Sequence, residues 1–317
     1  MTAYDGLDDK RGWRRFGFWR PVAVVLAAVL LLYYPIGMAW VHVVDDDPAF
    51  APADVPQGAS QTVAAAAALI DREVNGHGWT PNDPFFKPAA ALDNMPNYQQ
   101  GIIGALSRFA VEMGDQIGRT RGSSAIDPDL DKAAGLLKYP GDVWIWNPSV
   151  SLAPTATSER QYLAAMRALN DYNRRLAARE AVFERRADNL QATIDRISKD
   201  LGSMSAVLDQ RVAEGRHKLF DGGADDVFYQ TKGRLYAYLL LLRGLGQDFS
   251  NVIVERELGS TWDQMLRSFA SAVALDPWVV MNGAPDAQMV PSHLAAQGFF
   301  LLRARTQLTE IGDILLK

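Results

Sequence analysis

The side chains best able to do chemistry in this chain are its carboxylates and four histidines. It contains no cysteine to serve as nucleophile, thiolate ligand or disulfide partner. His42, His77, His217 and His293 never pair at the spacing that puts two imidazoles on one helix face, and no HExxH occurs. Asp127, Asp129 and Asp131 open like a calcium loop. Its sixth position is Lys132, where glycine must turn the chain, and its twelfth is Lys138, where a bidentate glutamate is required. Asp221, Asp225 and Asp226 around Gly222-Gly223 read as a solvated helix entry. P-loop, GxGxxG and GxSxG patterns are absent. The residues therefore imply no metal and no cofactor. Asp83, Asp93 and Glu112 are the carboxylates that acid–base chemistry on an envelope polymer would use.

Two segments are unusual enough to nominate as binding sites. The first, GWTPNDPFFKP followed by LDNMPNYQ, packs prolines, aromatics and Asx residues into a stretch that must be rigid. Its candidate contact residues are Trp79, Asp83, Phe85, Phe86, Asp93, Asn94 and Tyr98. The bland alternative is a cap over a helical core. The second is GRTRGSS at a helix end, where Arg119 and Arg121 could receive an anion or a partner or simply complement the helix dipole.

The elements that must position these residues begin with a membrane helix. No charged residue occurs from Pro21 to Val44, a run that at about 1.5 Å per residue exceeds the roughly 30 Å hydrocarbon core. Lys10, Arg11, Arg14, Arg15 and Arg20 precede it and Asp45, Asp46 and Asp47 follow. The positive-inside rule then puts the N-terminus in the cytoplasm and the rest outside. Trp13, Phe16, Phe18 and Trp19 on one side, with Tyr33, Tyr34 and Trp40 towards the other, have the character of interfacial aromatics. Ala49-Phe50-Ala51 has the form of a signal-peptide cut, but the apolar stretch is too long for such a peptide and Pro52 follows. The expectation is an uncleaved anchor: a cytoplasmic tail over 1–20, a transmembrane helix over 21–44, a linker over 45–58 and a periplasmic domain over 59–317. His42, near the outer end, reads as solvated rather than functional.

The domain reads as all-α. The 16 prolines of the chain lie at or before Pro154 or at or after Pro277, which leaves a long span free for helices. Within it Tyr162, Leu169, Leu176, Phe183, Leu190, Ile197 and Met204 recur every seven residues. This predicts one very long helix over about 158–213 within a bundle, with an intermolecular coiled coil as the alternative. Shorter helices are expected over 60–74, 98–118, 225–245, 248–275 and 292–316. Residues 119–157 are expected to be irregular, with Trp144-Ile145-Trp146 a short strand or an apolar plug. A net charge of −5, carried wholly beyond the basic tail, argues against nucleic acid.

The strings GWTPNDPFFKP, LDNMPNYQ, GRTRGSS, YNRRL and FERRADNLQ resemble a family of bacterial inner-membrane proteins known only as a domain of unknown function. The resemblance covers most of the chain and implies a Gram-negative inner-membrane setting, with no activity or catalytic residue to carry over. The expected partners are the lipid bilayer and a protein, or a second copy bound through helices. The expected role is envelope binding or scaffolding, with a hydrolase, or a sensor or assembly factor, as alternatives.

Overall fold

The computed structural model describes residues 10–118, 125–146, 153–215, 221–284 and 290–317, with side chains from residue 20 onward. Helix α1 (Lys10–Val41) contains the apolar stretch Arg20–Val41, of mean hydropathy 2.3 and with none of it buried within the protein. Nine helices follow: α2 (Gln61–Asp71), α3 (Asn94–Glu112), α4 (Pro128–Leu137), α5 (Ser158–Ala177), α6 (Ala187–Gly215), α7 (Gly222–Asp248), α8 (Ser250–Glu255), α9 (Gly259–Val273) and α10 (His293–Leu315). No strand occurs among the described residues. Trp144-Ile145-Trp146 is neither strand nor plug, since Ile145 and Trp146 are exposed.

Helix α7 is the axis of the domain. Its LYAYLLLL stretch is buried on every side, because α2, α3, α6, α9 and α10 all pack on it. The α3–α7 crossing is close enough to require glycine on both helices. A Cβ on Gly101 would stand 2.2 Å from the Gln230 carbonyl oxygen, and one on Gly233 2.0 Å from that of Tyr98. Helix α2 is capped at its N-terminus by Ser60 and also by a residue distant in sequence. Asp248, at the end of α7, accepts from the Ser60 and Thr62 hydroxyls and from the Gln61 and Thr62 amides at 2.6–3.0 Å. A buried carboxylate placed on the positive end of a helix satisfies donors that the helix itself leaves unpaired.

The very long helix expected over 158–213 is in fact two helices. Helix α5 ends at Ala177 in a Schellman closure, in which Arg179 donates to the Leu176 carbonyl and Glu180 to that of Arg175, at 3.0 and 2.8 Å. Arg179 takes the left-handed position (φ 63°) that glycine usually fills. The seven-residue series from Tyr162 to Met204 is nonetheless buried throughout, so the period marked the buried face and not helix continuity. That face is covered within the chain: α5 packs on α2 and α4, and α6 on α10 and α7. Asn173, four residues beyond Leu169 on α5, binds the Ser60 backbone through both amide atoms. Helix α6 runs unbroken through Gly202, whose open side is occupied by the Arg305 guanidinium.

Two further corrections have local causes. The helix expected over 248–275 divides into α8 and α9 at Glu257, again left-handed (φ 56°). The stretch 119–157 contains α4, whose Pro128 occupies the first helical turn behind the Asp127 cap, a position that proline favours. Asp127 and Asp129, tested above as calcium ligands, both pair with Arg175 at 2.6 and 2.5 Å. Replacing Arg179 with glycine should relieve the left-handed strain and raise stability by about 0.5–1 kcal/mol, whereas Arg179→Val should lower it by about 1–2 kcal/mol. Thermal melts of the two variants measure the pair.

Candidate functional site

The Trp79–Tyr98 segment divides into residues that hold it down and residues it presents. Trp79 is buried, donating from Nε1 to the Gly141 carbonyl at 2.8 Å with its ring edge-on to Tyr162. Thr80 donates from its amide and hydroxyl to Gln99 Oε1, and Asn82 donates to Val143 O and to Glu159. Tyr98 is wholly buried and donates to the Asp45 carbonyl at 2.7 Å. Phe85 and Phe86 are left at the surface, 84% and 50% exposed. Asp83 is neutralised by Lys87 at 2.7 Å. The 3-10 turn Pro88–Ala91 brings this segment against α1, where a Cβ on Gly37 would stand 2.6 Å from Pro88 Cβ. Tyr33 and Tyr34 of α1 donate to the Phe86 and Phe85 carbonyls at 3.0 and 2.5 Å.

Arg72 stands at the centre of the junction between α1 and the domain. It opens the π turn Arg72–Gly76 that continues α2. Its guanidinium donates to the Tyr236 hydroxyl at 2.7 Å, to the Asp45 carbonyl at 2.9 Å and to Glu73 at 2.8 Å. It lies over the Phe50 ring at 4.5 Å and the Tyr236 ring at 5.0 Å. Tyr236 in turn donates to the Asp47 carbonyl at 2.9 Å, and burial holds the Tyr98 and Tyr236 hydroxyls protonated far above their usual range. Lys232, itself buried, pairs with Asp46 at 2.8 Å, and Arg243 donates to the carbonyls of Pro48 and Phe50. Residues 45–50 are thus bound down along α7.

Asp93 and Asn94 start α3 beside the first turn of α7. Asp93 accepts from the Asn94 amide, and Asn97 donates to Asp226 at 2.7 Å. With its side-chain nitrogen facing the carboxylates, Asn94 donates to Asp225 at 2.5 Å and to Asp93 at 3.1 Å. Burial, then repulsion from Asp93 and Asp226, pushes the Asp225 carboxyl up to about 6. Among the described residues no group of three or more His, Asp or Glu is placed to hold a metal ion. Glu112, which burial also raises, ends the 19-residue helix that Asp93 caps, so these two carboxylates stand roughly 28 Å apart and cannot act on one bond. Arg119 and Arg121 lie outside the described residues.

Sequence reasoning missed a cleft of about 520 Å³ between α3 and the end of α4 with the turn after it, closed by Tyr162 of α5, Arg196 of α6 and Arg234 of α7, and lined by four cations: Arg108, Lys138, Arg196 and Arg234. Arg108 and Arg234 share the buried Asp200 carboxylate, at 2.9 and 3.7 Å, which Tyr238 also meets with its hydroxyl at 2.7 Å. The lining carries four cations and no carboxylate, although Asp200 and Glu112 stand beside it and interact with Arg108, Arg234 and Arg196, and Arg234 Nε is buried without a hydrogen-bond partner. These residues come from four stretches spread over about 130 positions, on α3, just after α4, on α6 and on α7, and Arg108 and Arg234 are brought together by the close α3–α7 crossing and their shared Asp200.

The chain belongs to the family described as "Uncharacterized protein conserved in bacteria (DUF2333)", whose model matches residues 13–221 and 221–317. No curated protein and no solved structure matches it.

Because folded Asp225 holds a proton that the unfolded chain releases nearer pH 4, the stability tied to this cluster is present in acid. It is lost as pH rises through about 6. Asp225→Asn should therefore raise the melting temperature at pH 8, by an amount equivalent to about 1 kcal/mol after solvent screening, and leave it nearly unchanged at pH 4. Melts of the two proteins at both pH values measure the difference.

Proposed function

We propose that this chain is a single-pass protein of the bacterial inner membrane whose periplasmic helical domain binds or scaffolds an acidic partner close to the bilayer. Residues 1–20 lie in the cytoplasm, 21–44 cross the membrane and 59–317 form the periplasmic domain. The observation that carries the reading is an unburied apolar helix running directly into a domain that grips its outer end. The basic flank before the helix and the acidic flank after it set the orientation. Retention of the anchor is supported by the junction. A cut after Ala51 would remove Asp45 and Phe50 from Arg72, Asp46 from Lys232, and the carbonyls that Tyr98, Tyr236 and Arg243 bind.

The partner's acidic groups would meet the cationic cleft, where convergent guanidinium groups suit carboxylates or phosphates. The separation of Asp93 from Glu112, and the pairing of Asp83 with Lys87, count against a hydrolase built on those carboxylates.

A photo-crosslinker at Ser107, on the cleft wall, should capture one dominant protein in intact cells. Arg108→Glu with Arg196→Glu should reduce that capture about tenfold, the loss expected for reversing a complementary charge pair. Equal capture by the double variant, with its fold verified by circular dichroism, would remove the cleft from the interface.

A further inference from the structure

We propose that the face of the domain surrounding the exit of α1 is itself a lipid-docking surface, with Phe85, Phe86 and Trp278 seated in the outer interface of the bilayer; this rests on the reading of α1 as a retained anchor. The depth of the Phe85–Phe86 turn follows from its contacts. Tyr33 and Tyr34, whose hydroxyls bind that turn, lie eight and seven residues before Val41, the last residue of the helix. At about 1.5 Å per residue the turn reaches back some 10–12 Å alongside the apolar helix. It therefore lies within the layer that α1 spans, and its two phenyl rings continue the apolar surface of that helix.

The polar groups of the turn are arranged for such a place. A backbone carbonyl entering a layer without water must find a donor within the protein. The tyrosine hydroxyls serve the Phe85 and Phe86 carbonyls, Lys87 N–H serves the Pro84 carbonyl at 2.8 Å, and the Asp83–Lys87 pair cancels its own charge. Phe86 meets the Trp144 ring at 6.0 Å, which carries the aromatic patch to the exposed Ile145 and Trp146.

A second segment comes near the end of α1 from another part of the chain. Lys232 binds both Asp46, five residues beyond the end of α1, and the Leu275 carbonyl, each at 2.8 Å. This fixes the 275–279 loop beside the membrane exit. The loop then exposes Trp278 completely and Val279 by 55%. A wholly exposed tryptophan is costly in water and favoured at a lipid headgroup boundary, where its indole N–H stays hydrated while the ring is buried. The exposed Trp40 of α1 stands at the same end of that helix. Three separate segments thus place aromatic side chains around one exit point. By contrast Val254, exposed on α8, lies beyond the far end of α7, about 24 Å along that helix from Lys232.

The absence of cysteine allows a direct test on the full chain in phosphatidylethanolamine–phosphatidylglycerol vesicles. Phe85→Cys, Trp278→Cys, Val254→Cys and Ala28→Cys are each labelled with a nitrobenzoxadiazole fluorophore and challenged with lipids carrying a nitroxide at a shallow or a deep acyl position. Labels at 85 and 278 should emit at shorter wavelength than the label at 254 and lose intensity to the shallow nitroxide. The label at 254 should lose none, and the label at 28 should be quenched by the deep one. Quenching at 28 together with solvent-like emission at 85 and 278 would overturn lipid docking while sparing the anchor. Failure of quenching at 28 would overturn the anchor, and lipid docking with it.

Discussion

A buried guanidinium in contact with two aromatic rings, a carboxylate and a backbone carbonyl is an expensive arrangement unless every donor is used. Arg72 uses its donors on groups from three parts of the chain: Asp45 just after α1, Glu73 in its own π turn, and Tyr236 on the central helix. The rest of the architecture depends on this junction. Glu73 is completely buried, so without Arg72 it would keep only the Gln99 amide and the nearby His77 imidazole to meet its charge. Phe50 would lose the cation above its ring, and the segment after α1 would lose its central attachment to α7. Tyr98, Lys232 and Arg243 extend the same seam on either side of it.

The consequence is orientation. A domain joined to its anchor by a free linker would sample every attitude to the bilayer, and no face of it would be membrane-proximal for long. Here residues 45–50 run along α7 and the 85–91 segment lies against α1, so the domain holds one attitude. Under the proposed lipid docking the aromatic rim faces the bilayer, and the cleft lined by Arg108, Arg196 and Arg234 opens beside α3 and the turn after α4. Under that reading, apolar insertion at the rim would offset the repulsion between an acidic domain and an anionic leaflet.

The sequence made the long apolar N-terminal helix, the all-helical class and the burial of the seven-residue series legible, because each is a one-dimensional pattern of apolarity. It concealed the two helix breaks, since Arg179 and Glu257 adopt left-handed backbone without the glycine that usually marks it. It concealed α4 because Pro128 reads as a breaker until Asp127 is seen to cap it. The 78–98 segment was recognisable as rigid, but not which of its aromatics turn inward. Trp79 and Tyr98 are fixed by partners at Gly141 and Asp45, and nothing local distinguishes them from Phe85 and Phe86. The cleft left no trace in sequence at all, because its cations come from four distant stretches that only the α3–α7 crossing and its neighbours bring together.

The central claim, that the anchor helix and the domain form one rigid body at the membrane surface, is open to a covalent test in a chain with no cysteine of its own. A Cβ on Gly37 would lie 2.6 Å from that of Pro88, so a slight displacement brings a Gly37→Cys, Pro88→Cys pair to the roughly 3.5–4.5 Å that a disulfide needs. Mild oxidation in native membranes should give a fast-migrating intramolecular species in nearly all molecules, and Arg72→Leu should sharply lower its yield. A pair that stays reduced, or that links only one chain to another, would contradict the account.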